Sequence, residues 1–215
     1  MLTVWGEGRG FRVIWMLEEM GLPYRLRDVD LLKGVENDPE FLTINPSGFI
    51  PALQDGDAII VESIAILEYL AARYGPTPLA PGPGDPAFPA YLQFLHLGEA
   101  GLAFPMMVPM VSNFLAPEDE KDNWGGRWGM AIAKSRMKLV ARQLERAPYM
   151  AGDAFTAADI SVTYALQFAQ RQRLFALSEA ELTYVARTSG RDGYKRAMDG
   201  CPATKGWVAR LEVDG

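Results

Sequence analysis

The chain has 215 residues, 49% of them apolar and 22% charged, and a formal net charge of −6. That length accommodates one large domain or two small ones, each with a real core, and the negative charge argues against a nucleic-acid backbone as partner. A single cysteine, Cys201, and a single histidine, His96, exclude an internal disulfide framework and a Cys-x-x-Cys redox pair and argue against a protein metal site. No basic-then-apolar leader precedes the first apolar run. No apolar run reads as approaching the roughly 20 residues needed to span a bilayer. The expectation is a cytoplasmic protein without metal, membrane or nucleic acid.

Leu2 to Trp5 reads as a strand. Phe11 to Met20 reads as a helix, with Val13, Ile14, Leu17 and Met20 near helical spacing. Gly21 followed by Leu22-Pro23 is a helix stop. A second strand spans Tyr24 to Val29, and a short helix lies around Asp38 to Leu42. Ile50-Pro51 then precedes an apolar run, Asp55-Gly56 makes a turn, and Ala58 to Val61 forms the return strand of a hairpin. Proline is tolerated at the first position of a strand because its missing N–H can face away from the ladder. Glu62-Ser63 opens a third helix reaching Tyr74, apolar on most sides. Such a helix must be covered on most sides, which a second domain and a second subunit would do together, a merely central helix within one domain being the alternative. The β-α-β-α-β-β-α order is thioredoxin-like and predicts a mixed sheet with helices on both faces.

A Pro/Gly-rich stretch, Gly75-Pro76-Thr77-Pro78 and Pro81-Gly82-Pro83-Gly84, reads as a linker. Strand signals almost vanish beyond Asp85. A long helix or two, bent near Pro105 and Pro109, runs from Pro86 to about Ser112, and an apolar seam from Met130 to Leu144 marks another helix over Trp128 to Arg146. Thr156 is an N-cap with Asp159 at N3, and Phe155 and Ile160 flank them as a hydrophobic staple. The division expected is an α/β thioredoxin-like domain over 1–76, a linker over 77–85 and an all-α helical domain over 86–215.

The segment from Asn45 to Ser63 carries the most chemistry. A cis Ile50-Pro51 bond would turn the N–H and carbonyl of Ile50 outward, where an extended peptide can pair with them. The first turn of the following helix offers N–H groups to an anion, and Glu62 adds a carboxylate of its own. Together these suit a small zwitterionic peptide. In order and spacing, Asn45-Pro46, Gly48, Ile50-Pro51-Ala52-Leu53 and Glu62-Ser63 closely resemble the glutathione-binding segment of the glutathione S-transferase superfamily, cytosolic type. The Thr156-x-x-Asp159 box resembles that family as well. The resemblance implies glutathione as co-substrate and a homodimer. It places the cysteinyl part of glutathione on the Ile50 backbone beside Pro51, the γ-glutamyl ammonium at Glu62 and the γ-glutamyl carboxylate at Ser63. It also offers Lys33 for the glycyl carboxylate, and Glu99 as a group reaching glutathione bound to a second subunit.

The family activates the sulfur with a hydroxyl or thiol near the start of the first helix, and here the pattern breaks. A thiol pKa is about 8.5, and bringing it near neutrality takes roughly 2–3 kcal/mol of preferential thiolate stabilisation. No Ser, Thr, Tyr or Cys lies between Thr3 and Tyr24, and the expected position falls on Glu7 or Gly8. Two substitutes remain: the guanidinium of Arg9, and an anion nest of backbone N–H groups from Gly8 to Phe11. For the second substrate, Phe104, Met106, Met107, Met110, Val111 and Phe114 crowd one stretch of adaptable apolar side chains. Trp124 and Trp128 are candidates to cap the same pocket, and ordinary core packing is the alternative for all of them. His96 reads as structural or surface. Three functions stay open: transfer of glutathione to small hydrophobic electrophiles, glutathione binding with little turnover, and glutathione-dependent peroxide or disulfide reduction.

Overall fold

In the computed structural model, residues 1–205 are described, the side chain of Leu32 excepted. Residues 206–215, which the sequence assigns to the helical domain, lie outside the described residues. The described residues divide into two units: Met1–Thr77 together with residues 190–205, and Pro78–Ser189.

The first unit is built on a four-stranded mixed sheet in the order β2-β1-β3-β4. Strand β1 (Leu2–Trp5) lies parallel to β2 (Tyr24–Arg27) and antiparallel to β3 (Ala52–Asp55), which pairs antiparallel with β4 (Ala58–Val61). Asp55 pairs with Ala58, so the hairpin loop is Gly56-Asp57 rather than Asp55-Gly56. Gly56 takes φ +61° there, as a leading glycine in a two-residue loop does. Helix α1 (Gly10–Met20) buries every residue from Gly10 to Leu17. It ends as the sequence signals: Gly21 is left-handed, and the Leu22 N–H donates to the Leu17 carbonyl at 2.9 Å. Phe41 of α2 (Pro39–Ile44) packs with Trp5, Val29 and Ala52, and its ring stacks on Trp5 at 6.2 Å. Helix α3 (Ser63–Tyr74) buries Ile64, Ile66, Leu67 and Leu70.

Residues 190–205 belong to this first unit, whereas the sequence reading placed them in the helical domain. Five α-helices of the second unit precede them: α4 (Phe88–His96), α5 (Phe104–Leu115), α6 (Trp124–Leu144), α7 (Ala157–Arg171) and α8 (Glu179–Ser189). Helix α9 (Asp192–Asp199) packs on α1. Tyr194 meets Phe11 and Trp15 edge-on, at 5.3 and 4.9 Å. Arg191 donates to both carboxylate oxygens of Glu19 at 2.8 Å, and Arg196 donates to Glu18 at 2.8 Å. A bidentate arginine–carboxylate fork is the stronger kind of charged contact.

The second unit is all helical and is built from α4 to α8. A π-helical segment, Leu97–Ala103, joins α4 to α5 without a break. Gly98 lies in that segment, and a Cβ added to it would meet the Ser161 backbone of α7 at 2.5 Å. The close approach of the two helices requires glycine. The continuous stretch Phe88–Leu115, 28 residues, is long and apolar enough by length and composition to cross a membrane. This corrects the expectation that no such run exists. Half of its most apolar window is buried within the protein, as in a core helix.

Helix α7 forms the centre, with every residue from Ala157 to Ala169 buried. Its start is the expected capping box, and Phe155 and Ile160 are both buried. Asp159 does more than cap. Its carboxylate accepts from the Thr156 N–H at 2.9 Å, the Met150 N–H at 2.8 Å and the Tyr184 hydroxyl at 2.9 Å. The linker joins this unit through Leu79, which is buried and accepts from the Ala157 N–H at 2.8 Å.

Candidate functional site

The site begins with three segments of the first unit that meet at one end of the sheet. The loop after β1 runs from Gly6 to Gly10. Gly6 takes φ +83°, and an added Cβ would lie 2.3 Å from Ile50 Cγ2. The Ile50 side chain therefore rests directly on the loop. An added Cβ at Gly10 would touch Pro51 at 3.3 Å. The Ile50-Pro51 peptide bond is cis. Asn45 holds the approach to it: its side-chain amide donates to the Phe49 carbonyl at 2.6 Å, and its Oδ1 accepts from the Ser47 N–H at 3.1 Å.

The third segment is the start of α3. Glu62 precedes the helix with φ +70° and ψ +110°, and its side chain is exposed. A non-glycine residue at positive φ is uncommon, and such outliers cluster where a ligand is clamped. Ser63 is the first helical residue and is 3% exposed. Its Oγ accepts from Arg12 Nη1 at 3.1 Å. Arg12 is wholly buried on α1. The sequence reading passed over Arg12 because it sits inside an apolar helical run. A single charge in such a run is the signal that was available.

Arg9 occupies the N-cap of α1, half-buried, with helical φ and ψ. The expected anion nest is not formed by Gly10 and Phe11. Their N–H groups donate to the carbonyls of Glu7 at 2.8 Å and Gly8 at 3.1 Å. Glu7, one of the two positions where the sequence leads one to expect a hydroxyl or thiol, is buried and committed elsewhere. Its carboxylate accepts from the Thr204 N–H at 2.7 Å, the Thr204 hydroxyl at 2.9 Å and the Ala203 N–H at 3.2 Å. Cys201 is buried in the same unit, and burial, reinforced by the charges of Glu7 and Glu18, pushes its thiol up to about 12. Such a thiol carries almost no thiolate at neutral pH.

Residues 1–72 match the family model described as the N-terminal domain of glutathione S-transferase. Glutathione S-transferase 3 of Zea mays is 35% identical over an alignment 157 residues long that covers 69% of this chain and 68% of that protein. The chain belongs to the glutathione S-transferase family. A glutathione transferase from Methylococcus capsulatus superposes with a TM-score of 0.80 at 25% identity, covering 93% of this chain and 98% of that one. A glutathione transferase from Phanerochaete chrysosporium, solved with oxidized glutathione, superposes with a TM-score of 0.78 at 26% identity, covering 92% and 93% of the two chains.

In this glutathione S-transferase the loop that carries Arg9 touches Ile50 and Pro51 through its glycines, Glu62 and Ser63 open α3, and Arg12 bonds Ser63, all within the first unit. Lys33 is exposed at the end of a short 3-10 turn, Leu31–Lys33, and pairs with Asp30 at 3.3 Å. Glu99 lies half-buried on the π-helical segment of the second unit. His96 is exposed. On α5, Phe104 and Val111 are exposed, Met107 is half-buried and Met106 belongs to the core. Trp124 and Trp128 stack at 5.7 Å on α6, and both are exposed.

Proposed function

We propose that this glutathione S-transferase conjugates the glutathione thiolate to small hydrophobic electrophiles, with glutathione as co-substrate. Glutathione would lie along the Ile50 backbone beside Pro51, its γ-glutamyl ammonium at Glu62 and its γ-glutamyl carboxylate at Ser63. The observation that carries this reading is the start of α3: a glutamate held at φ +70° beside a buried serine. The helix start favours an anion, and an exposed carboxylate one residue earlier favours a cation. That pairing matches an amino-acid head group. Oxidized glutathione in a relative at 26% identity supports the ligand.

Lys33 is assigned the glycyl carboxylate and Phe104, Met107 and Val111 the second substrate. Membership of the family supports a homodimer, in which Glu99 would reach glutathione on the second subunit, and exposed Phe49, Ile59 and Val61 supply apolar surface for one. The reading includes a cytoplasmic, detoxifying enzyme without metal.

Arg9 is the assigned thiolate stabiliser, since Glu7 is committed and the Cys201 thiol is held protonated. The Arg9→Ala variant is expected to raise the thiol pKa of bound glutathione toward its ordinary value of about 8.5. Thiolate absorbance titration reads this directly, and an unchanged pKa would remove Arg9 from the role.

The lack of a hydroxyl or thiol side chain near the start of α1 favours a second reading, glutathione binding with little transfer. Retention on immobilised glutathione, followed by turnover of a chloronitrobenzene and of an organic hydroperoxide, separates the possibilities. Retention with conjugation supports transfer. Retention without turnover supports the second reading, and hydroperoxide turnover alone supports a reductase. No retention would sink the assignment of the site.

A further inference from the structure

The buried arginine behind Ser63 has no part in the reading above, and its geometry gives it one. A guanidinium has only donors, so at 3.1 Å the Arg12 Nη1 must donate and Ser63 Oγ must accept. A serine hydroxyl carries one proton and two lone pairs. With a lone pair engaged by Arg12, the proton remains for a second partner. Inside a helix, serine usually returns that proton to the carbonyl four residues back. Ser63 is the first residue of α3, and four residues back lies Ile59 in β4, not a helical turn.

We infer that Arg12 is a positioning residue for carboxylate recognition: it fixes Ser63 Oγ as an acceptor on its inner side, which turns the Ser63 proton outward to an anion at the start of α3. Its charge adds to the positive end of the same helix, so both the direction of the hydroxyl and the local field select a carboxylate. The inference rests on the proposed binding of glutathione, and the ligand group it concerns is the γ-glutamyl α-carboxylate.

The test compares glutathione with 4-aminobutyryl-Cys-Gly, which lacks only that carboxylate. Calorimetric titration of the wild-type protein is expected to show a preference for glutathione of about tenfold or more, the usual scale of a charged hydrogen bond. In Arg12→Met the preference is expected to fall to within about threefold, and Ser63→Ala added to Arg12→Met is expected to change it little further. A merely structural Arg12 would weaken both ligands together and leave the ratio intact, which overturns the inference. Should Arg12→Met fail to fold, nitrogen NMR of the Arg12 guanidinium in the wild type replaces it. Glutathione is expected to shift that resonance and the analogue to leave it unmoved, and equal shifts overturn the inference. Glutathione that binds with an unchanged ratio in the variant removes the role of Arg12 alone. Glutathione that fails to bind the wild type removes both that role and the site reading.

Discussion

The Asp159→Ala variant is expected to lose about 3–5 kcal/mol of stability, because a buried donor left unsatisfied costs about 1–3 kcal/mol and several are orphaned together. The carboxylate accepts from the Thr156 N–H, the Met150 N–H and the Tyr184 hydroxyl, and it is fully buried. Alanine accepts none of these bonds, and α7 is buried along almost its whole length, so water cannot readily substitute. Urea unfolding monitored by circular dichroism measures the loss. A change below about 1 kcal/mol would mean that the box is only an ordinary cap.

The same site sets a pH dependence. Burial pushes the Asp159 carboxyl up from 3.8 to about 6, against the opposing pull of its hydrogen bonds. The folded state therefore binds the proton more tightly than the unfolded chain. The resulting contribution to stability is complete below 3.8 and is lost as pH rises through about 6. The gap in stability between wild type and Asp159→Ala is expected to widen as pH falls from 7 toward 4, which paired unfolding curves across that range check.

The Gly6→Ala variant is expected to cost about 2–4 kcal/mol and to abolish measurable glutathione binding. Two penalties combine. The backbone sits at φ +83°, where a Cβ is strained, and that Cβ would overlap Ile50 Cγ2 at 2.3 Å. Gly6 also donates its N–H to the Arg27 carbonyl at 2.8 Å, so the loop cannot simply swing away from the sheet. Ile50 must move instead, and Ile50 is the proposed backbone contact for the peptide. Thermal unfolding and glutathione titration measure the two effects. A variant with wild-type affinity would show that the position of Ile50 does not matter to binding.

What could be read from the sequence was local chemistry. The helix stop at Gly21, the hairpin before α3 and the box at Thr156 each rest on residues within a few positions of one another, and all three stand in the structure. The hairpin loop moved by one residue, because turn composition alone does not choose between Asp55-Gly56 and Gly56-Asp57. The features that escaped depend on distant partners. Arg12 meets Ser63 across 51 positions, and Glu7 meets Thr204 across 197. Neither periodicity nor spacing carries that information. In sequence Glu7 is only a residue standing where a hydroxyl or thiol is expected. In the folded chain its carboxylate is occupied by two backbone N–H groups and a hydroxyl. The docking of α9 on α1 was hidden for the same reason, since Glu18, Glu19, Arg191 and Arg196 look like ordinary surface charges until the helices meet.

A crystal structure of the protein with glutathione bound tests the site most directly. The expected result is the γ-glutamyl carboxylate about 3 Å from Ser63 Oγ, the ammonium at a similar distance from the Glu62 carboxylate, and the cysteinyl backbone paired with Ile50. Glutathione bound elsewhere, or lying with its glycyl end at Ser63, would contradict the assignment.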